Sequence, residues 1–316
     1  MNDKKILITG GAGFIGGHLA RAMAALGREV IVVDDLRVPP MISPDGTVKL
    51  VEKPVLELDA DDLANVELIY HLASHKSVPR SFHQPLDYLE NVDSGRHLLN
   101  LCTAVGTPKV VVASTCEVYG QASALPTPEE APLSPRSPYA ATKVGLEMIA
   151  RAHQRAPGAP EVGVVRFFNV YGPGERPDEL VPRLCANLLL RNELPVEGDG
   201  SQRRDFSFVT DTVDKLIGLA DRPLAPVMNI GSGRSYSVNE VIEVLQEYSP
   251  GARIVHKPAR INEIQEFRAD TALQVGSTGN PATPVSLLDG IRATFEWWAA
   301  RDRQEIERRL FREESN

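Results

Sequence analysis

Cysteine is scarce in this sequence: Cys102, Cys116 and Cys185 are the only three in 316 residues, odd in number and widely spaced. That pattern speaks against a disulfide framework, and without a Cys-x-x-Cys pair it offers no zinc site. No metal is expected, and a reducing cytoplasm suits such a chain. Long apolar runs are missing too. None approaches the roughly 18 residues that a membrane span needs, and MNDKKILITG at the start lacks the apolar core of a signal peptide. A soluble cytoplasmic protein without a membrane partner is expected. Positive charge is in deficit, with 34 Lys and Arg against 42 Asp and Glu for a net charge of −8. A nucleic-acid surface is therefore not expected, whereas a few local arginines still suffice to hold a small anion. Internal repeats and low-complexity tracts are absent.

What is present is alternation. KILITG, EVIVVDD, ELIYHLAS, KVVVAST and EVGVVRFFNV read as strands buried on both faces, and segments such as GGHLARAMAALG and SGRHLLNLCTAVG have helical spacing. Strands alternating with helices imply parallel pairing through right-handed crossovers, hence an α/β fold with a doubly wound parallel sheet. After about Tyr171 the alternation weakens into Pro and Gly clusters. The expected division is a nucleotide-binding domain over 1–165, with a return segment at about 205–233 ending in VMNIGSG. A smaller, discontinuous α+β substrate lobe spans 166–316.

GGAGFIGG places Gly10, Gly13 and Gly16 between the first strand and the first helix. Glycines there let the backbone turn tightly and approach a pyrophosphate resting on the helix N-terminus. Asp34 closes the second strand 18 residues after Gly16. A carboxylate there accepts hydrogen bonds from an adenosine ribose and repels a 2′-phosphate, which favours NAD over NADP; Arg37 nearby weakens that preference slightly. Tyr139 and Lys143 lie four apart, on one face of a helix. An unperturbed phenol, with a pKa near 10, is a poor base at neutral pH. A neighbouring ammonium and a positive nicotinamide ring would stabilise its phenolate.

The G-x-x-G-x-x-G spacing, with HLAS, YAATK, RFFNVYGPGERP, GDGSQRRDF and NIGSG in that order, resembles the extended short-chain dehydrogenase/reductases, specifically the NAD-dependent nucleotide-sugar epimerases and dehydratases. The resemblance runs the length of the chain and implies a Rossmann-type first domain. It also implies cofactor contacts from Phe14, Ile15, Asp35, Leu36, Leu72, Ala73 and Ser74, besides the glycines, Asp34, Tyr139 and Lys143. Pro54-Val55 departs from the Asp and aliphatic residue that many relatives carry near the adenine. Thr115 matches the Ser or Thr that hydrogen-bonds the reacting sugar oxygen. The family commonly dimerises through helices around 91–106 and 139–155, which implies a homodimer.

The stretch STCEVYG sets the chemistry. Simple 4-epimerases carry no acid or base here beyond the Tyr and Ser, because their ketosugar only rotates. Glu117 adds a base. Oxidation at C4 acidifies the C5 proton; a carboxylate over C5 removes it, and the C6 hydroxyl leaves as water. The family's 4,6-dehydratases carry Thr-Asp-Glu or Thr-Ser-Glu, and nucleotide-sugar decarboxylases also carry Thr-Ser-Glu. This chain has Thr115-Cys116-Glu117. Cys116 is either a proton donor to the C6 oxygen, its thiol being protonated at neutral pH, or a small buried hydrophobe. Hydride delivered to C6 gives a 4-keto-6-deoxysugar, and hydride returned to C4 gives a 5,6-ene. The Thr-Cys-Glu variant resembles NDP-hexosamine 5,6-dehydratases of the tunicamycin type and implies the 5,6-ene.

For a UDP-hexosamine of the UDP-GlcNAc type, the resemblance assigns the diphosphate to Arg204, Arg260 and Asn169, and the nucleobase to Leu180 and Pro195. Guanidinium forks suit phosphate oxygens. Ser77, with Lys76 and His75 beside it, is placed by the sugar, whereas Arg203 is read as solvated and Arg166 as a brace of the sheet. The rivals are a 4,6-dehydratase, then a UDP-glucuronate decarboxylase or a UDP-sugar 4-epimerase. A silent NAD-sensing scaffold would have no need of Thr115, Glu117, Tyr139 and Lys143 together.

Overall fold

The computed structural model describes residues 4–38, 40, 46–259, 263–278 and 283–314, with side chains as far as 310. The first strands are β1 (Lys5–Thr9), β2 (Glu29–Asp34), β3 (Lys49–Glu52), β4 (Val66–His71), β5 (Lys109–Thr115) and β6 (Glu161–Phe167). Then come β7 (Asn169–Tyr171), β8 (Glu193–Glu197), β9 (Arg203–Arg204), β10 (Phe206–Phe208), β11 (Val227–Ile230), β12 (Tyr236–Ser237) and β13 (Arg253–Lys257). The helices are α1 (Phe14–Ala25), α2 (Val78–His83), α3 (Glu90–Val105), α4 (Pro138–His153) and α5 (Leu180–Arg191). They continue with α6 (Val209–Leu219), α7 (Val238–Gln246), α8 (Ala272–Thr278), α9 (Leu287–Ala299) and α10 (Arg303–Glu314).

Side chains alternate across a strand, so a strand covered on both faces must be apolar at every position. β1 shows the result. Ile6 and Ile8 join a core with Leu19 and Met23 of α1 and Val213 and Leu216 of α6. Leu7 points the other way, into a core with Leu98 and Leu99 of α3 and Leu146 and Ala150 of α4. The sheet has seven strands in the order β11-β6-β5-β4-β1-β2-β3, and its neighbours pair in parallel. It is the doubly wound α/β sheet that the alternation of the sequence predicts. Edge strand β3 is the addition. KLVE is short, carries charge at both ends and is mostly exposed, so its pattern gives no buried-strand signal.

A further core is built from residues beyond 170, with Leu184 and Leu188 of α5, Val241 and Leu245 of α7 and Trp298 of α9 at its centre. Between these parts the chain crosses back. β10 pairs in parallel with β7, α6 packs on α1, and β11 becomes the last strand of the main sheet beside β6. Among the described residues, no helix is long and apolar enough to cross a membrane.

Candidate active site

The carboxyl ends of β1, β2, β4, β5 and β6 open on a cavity of about 1190 Å³ that continues between α4 and α5. Such sheets place their ligands at this edge. Its lining includes Gly10, Gly13, Phe14, Ile15, Gly16, Asp34, Asp35, Leu72, Ala73 and Ser74. It also includes Ser77, Thr115, Cys116, Glu117, Tyr139, Lys143, Asn169, Leu180 and Arg204. Two expected contacts do not line it. Leu36 turns its backbone to the neighbouring acid, its N–H donating to Asp34 Oδ1 at 3.0 Å. Pro195 is buried within β8, paired with Val255 of β13, and does not line the cavity, although Glu197 two positions on does. Arg260 lies outside the described residues.

The turn after β1 is tight for a reason. Gly10 has φ +66°, and a Cβ there would come within 2.7 Å of the Ala73 nitrogen. A Cβ on Gly16 would come within 2.3 Å of the Gly10 carbonyl. Helix α1 begins at Gly13 with no side-chain cap and no acid in its first turn, so its positive end is left for an external anion. Asp34 Oδ2 accepts from Ala12 N at 3.1 Å, which ties the acid to that turn. Burial pushes its carboxyl above the usual range, against the pull of those two backbone N–H groups. Arg37 is engaged by Asp35 and Glu90. Two carboxylates thus occupy the cation that would otherwise have welcomed a 2′-phosphate.

Helix α4 carries the Tyr and Lys. Ser137 caps it, its Oγ accepting from Ala140 N at 3.1 Å, and Pro138 opens the first turn. Lys143 Nζ donates to the Ala113 carbonyl at 3.1 Å, and burial lowers its pKa to about 8 despite Glu147. Tyr139 is 8 % exposed. Burial raises its pKa, Thr115 pulls it down, and Glu117 raises it again. In the chain alone, then, desolvation outweighs the help that Lys143 was expected to give the phenolate.

Strand β5 ends at Thr115, whose Oγ1 accepts from the Glu117 N–H at 3.2 Å and caps the short 3-10 turn Cys116–Tyr119. That turn sets Thr115, Cys116 and Glu117 on the cavity wall that also holds Tyr139. Cys116 is nearly buried among Val118, Phe168, Ile264 and Phe267, and burial, then the Glu117 charge, push its thiol well above the usual range. The thiol therefore stays protonated. Behind the turn, Glu147 receives Arg166 Nη2 at 2.7 Å and a short hydrogen bond from Ser114. Arg166 also donates to Tyr119 at 2.8 Å and is 2 % exposed. It is the brace that the sequence predicts.

Arg204 reaches the cavity but is held by the Ile264 carbonyl at 2.8 Å and by Glu263, over the Phe267 ring. Arg203 is not simply solvated: it donates to the Ser235 carbonyl at 2.6 Å and pairs with Glu240 at 3.0 Å. Asn169 Oδ1 is buried without a hydrogen-bond partner. Sequence reading missed Glu175, Arg176, Asp178 and Glu179, along with Lys53, Arg183, Glu197, Gln202 and Arg308, all of which line the cavity. The GPGERPDEL stretch has no periodicity to mark its side chains, and α10 reaches the cavity only through tertiary packing. Among the described residues, no group of three or more His, Cys, Asp or Glu side chains could hold a metal ion.

Residues 6–231 match the model of the NAD dependent epimerase/dehydratase family. The chain belongs to that family. It is 71% identical to the solved structure of TunA, a NAD dependent NDP-hexosamine 5,6-dehydratase involved in tunicamycin biosynthesis, with a TM-score of 0.93 over 95% of this chain and 99% of that one. It is 36% identical to MoeE5 in complex with UDP-glucuronic acid and NAD, with a TM-score of 0.85 over 93% and 99%. An uncharacterized UDP-glucose epimerase, YtcB of Bacillus subtilis (strain 168), is 32% identical over 90% of this chain and 99% of its own. This epimerase/dehydratase family member is an enzyme, and NAD is its cofactor. The N-terminus of α1, with no side-chain cap and no acid in its first turn, the crowded glycine turn and Asp34 fit a dinucleotide without change.

Proposed function

We propose that the enzyme dehydrates a nucleotide-diphosphate hexosamine of the UDP-GlcNAc type to its 5,6-ene. One observation carries this reading: Glu117 lines the same cavity as Thr115 and Tyr139, and its charge bears on the Tyr139 phenol. NAD, when bound, supplies a reversible two-electron oxidation at C4. Tyr139 and Thr115 hold the C4 oxygen, with the phenol taking its proton and later returning it. Lys143, anchored on the Ala113 carbonyl, adds positive charge beneath the phenol. Glu117 removes the C5 proton while C4 is a ketone. The C5 electron pair forms the 5,6-double bond as the C6–O bond breaks. The oxygen leaves as water with a proton from the Cys116 thiol, and the proton held on Glu117 then restores that thiol. Ser77 lies by the sugar; Asn169, whose buried Oδ1 has no partner, and Arg204 take the diphosphate, and Leu180 flanks the nucleobase.

In this reading residues 1–165, with the return segment at about 205–233, hold the dinucleotide, and the rest of 166–316 holds the sugar nucleotide. The three free, buried cysteines fit a reducing cytoplasm. A homodimer through α3 and α4 is part of the proposal.

NMR of the product from UDP-GlcNAc tests it. Vinylic CH₂ signals are expected; a C6 methyl would mean 4,6-dehydration, and a GalNAc pattern epimerisation. In deuterated water Glu117→Gln is expected to lose exchange at C5, and persistent exchange removes Glu117 as the base.

A further inference from the structure

Charged side chains from two segments meet at the cavity wall beside Tyr139. Lys76 stands on the loop after β4, and Glu179 is the residue before α5. Lys76 Nζ lies 3.1 Å from Glu179 Oε1 and 3.8 Å from Asp178 Oδ1. Asp178 is itself taken by Arg176 at 2.6 Å. Glu175 is 5 % exposed, and its Oε2 has no hydrogen-bond partner. Burial pushes that carboxyl well above the usual range. Glu179 is therefore the nearer carboxylate to Lys76, with Asp178 farther off and closer to Arg176.

Tyr139 fixes where along the cavity this happens. The Glu179 charge bears on the phenol. Tyr88 packs edge-on against Tyr139 at 6.3 Å and donates to the carbonyl of Ser77, next to Lys76, at 2.6 Å. The pair thus belongs to the end where the sugar reacts. It has little to do for the fold: the side chains are 34% and 42% exposed, and Glu179 makes no side-chain cap for α5. Pairs this exposed contribute about 0–1 kcal/mol.

We propose that Glu179 masks Lys76 and thereby makes the site select neutral hexoses over uronic acids. The proposal rests on the nucleotide-sugar reading above. A C6 carboxylate entering the cavity needs a cation to replace its water. With Lys76 held by Glu179, it meets the carboxyl groups of Glu179 and Glu117 instead. A C6 hydroxyl carries no charge and escapes that penalty.

The test is calorimetric binding of UDP-glucuronate and UDP-GlcNAc to the NAD-loaded enzyme, as wild type, Glu179→Gln and Lys76→Met/Glu179→Gln. The single variant is expected to bind UDP-glucuronate about three- to fivefold more tightly than wild type, the scale of one partly exposed charge pair. The double variant is expected to return to the wild-type level, because the freed ammonium is the receiver. No gain in the single variant overturns the proposal, and so does an equal gain in the double. Glu179→Ala repeats the test should the Gln variant not fold. The gain for UDP-glucuronate decides this point whatever product UDP-GlcNAc yields; a product other than the 5,6-ene sinks the dehydration reading alone.

Discussion

Lys143 shows how one residue carries opposing demands. Its ammonium is wanted beneath Tyr139, yet it is only 3 % exposed. Burial lowers its pKa from the ordinary 10.5 to about 8. Between those two values the unfolded chain binds more protons than the folded one, so stability rises with pH through that window. Below about pH 8 the folded protein bears the full cost of a buried charge. The nucleotide-free Lys143→Met variant should therefore be more stable than wild type at pH 7, by about 1–3 kcal/mol after the lost hydrogen bond to Ala113 is counted. That margin should shrink as the pH is raised above 8. Urea titrations across the pH range check this, and a variant weaker than wild type at pH 7 would show that the charge is better solvated than its burial implies. At this scale the sequence was informative. Tyr139, Lys143, Thr115 and Glu117 were legible from spacing and resemblance, because each follows a strong local signal: a capped helix or a strand end.

Elements deliver those side chains to one another. α4 and β5 are clamped behind the site by Glu147, which takes Ser114 from the strand and Arg166 from β6. Both members of the ion pair are essentially dry, at 2% and 0% exposure. Removing one partner of a buried pair strands the other charge. Glu147→Gln is thus expected to destabilise the fold by about 3–5 kcal/mol, measured as a lower urea midpoint. A loss under about 1 kcal/mol would mean that water reaches Arg166. The strands of the sheet were readable because burial on both faces demands unbroken apolar runs. β3 was not, since an edge strand is held by backbone pairing and leaves its side chains free to be polar. Pro195, which resemblance sets at a nucleobase, is buried in β8 beside β13, whereas Glu197 two positions on lines the cavity.

For the whole molecule, the open question of size is a question of surface. Phe82, Leu86, Leu89 and Met148 are exposed apolar side chains on α2, the turn after it and α4, beside the helices through which a dimer is proposed. Sedimentation equilibrium should give a mass near twice 34.5 kDa, and Leu89→Glu/Met148→Glu should shift it toward the monomer. A wild-type monomer at micromolar concentration would remove the dimer from the proposal. By itself the sequence determined the doubly wound sheet and the glycine turn after β1, because these rest on short-range order: apolar alternation and glycines that only a tight turn needs. Tyr139 and Lys143 were candidates from helical spacing, and Thr115, Cys116 and Glu117 from resemblance. Tertiary structure alone decided that Arg204 lies against Glu263 and that Glu179 meets Lys76 across 103 residues. Such pairings depend on how distant, aperiodic loops are carried to the same wall, and no local pattern encodes that.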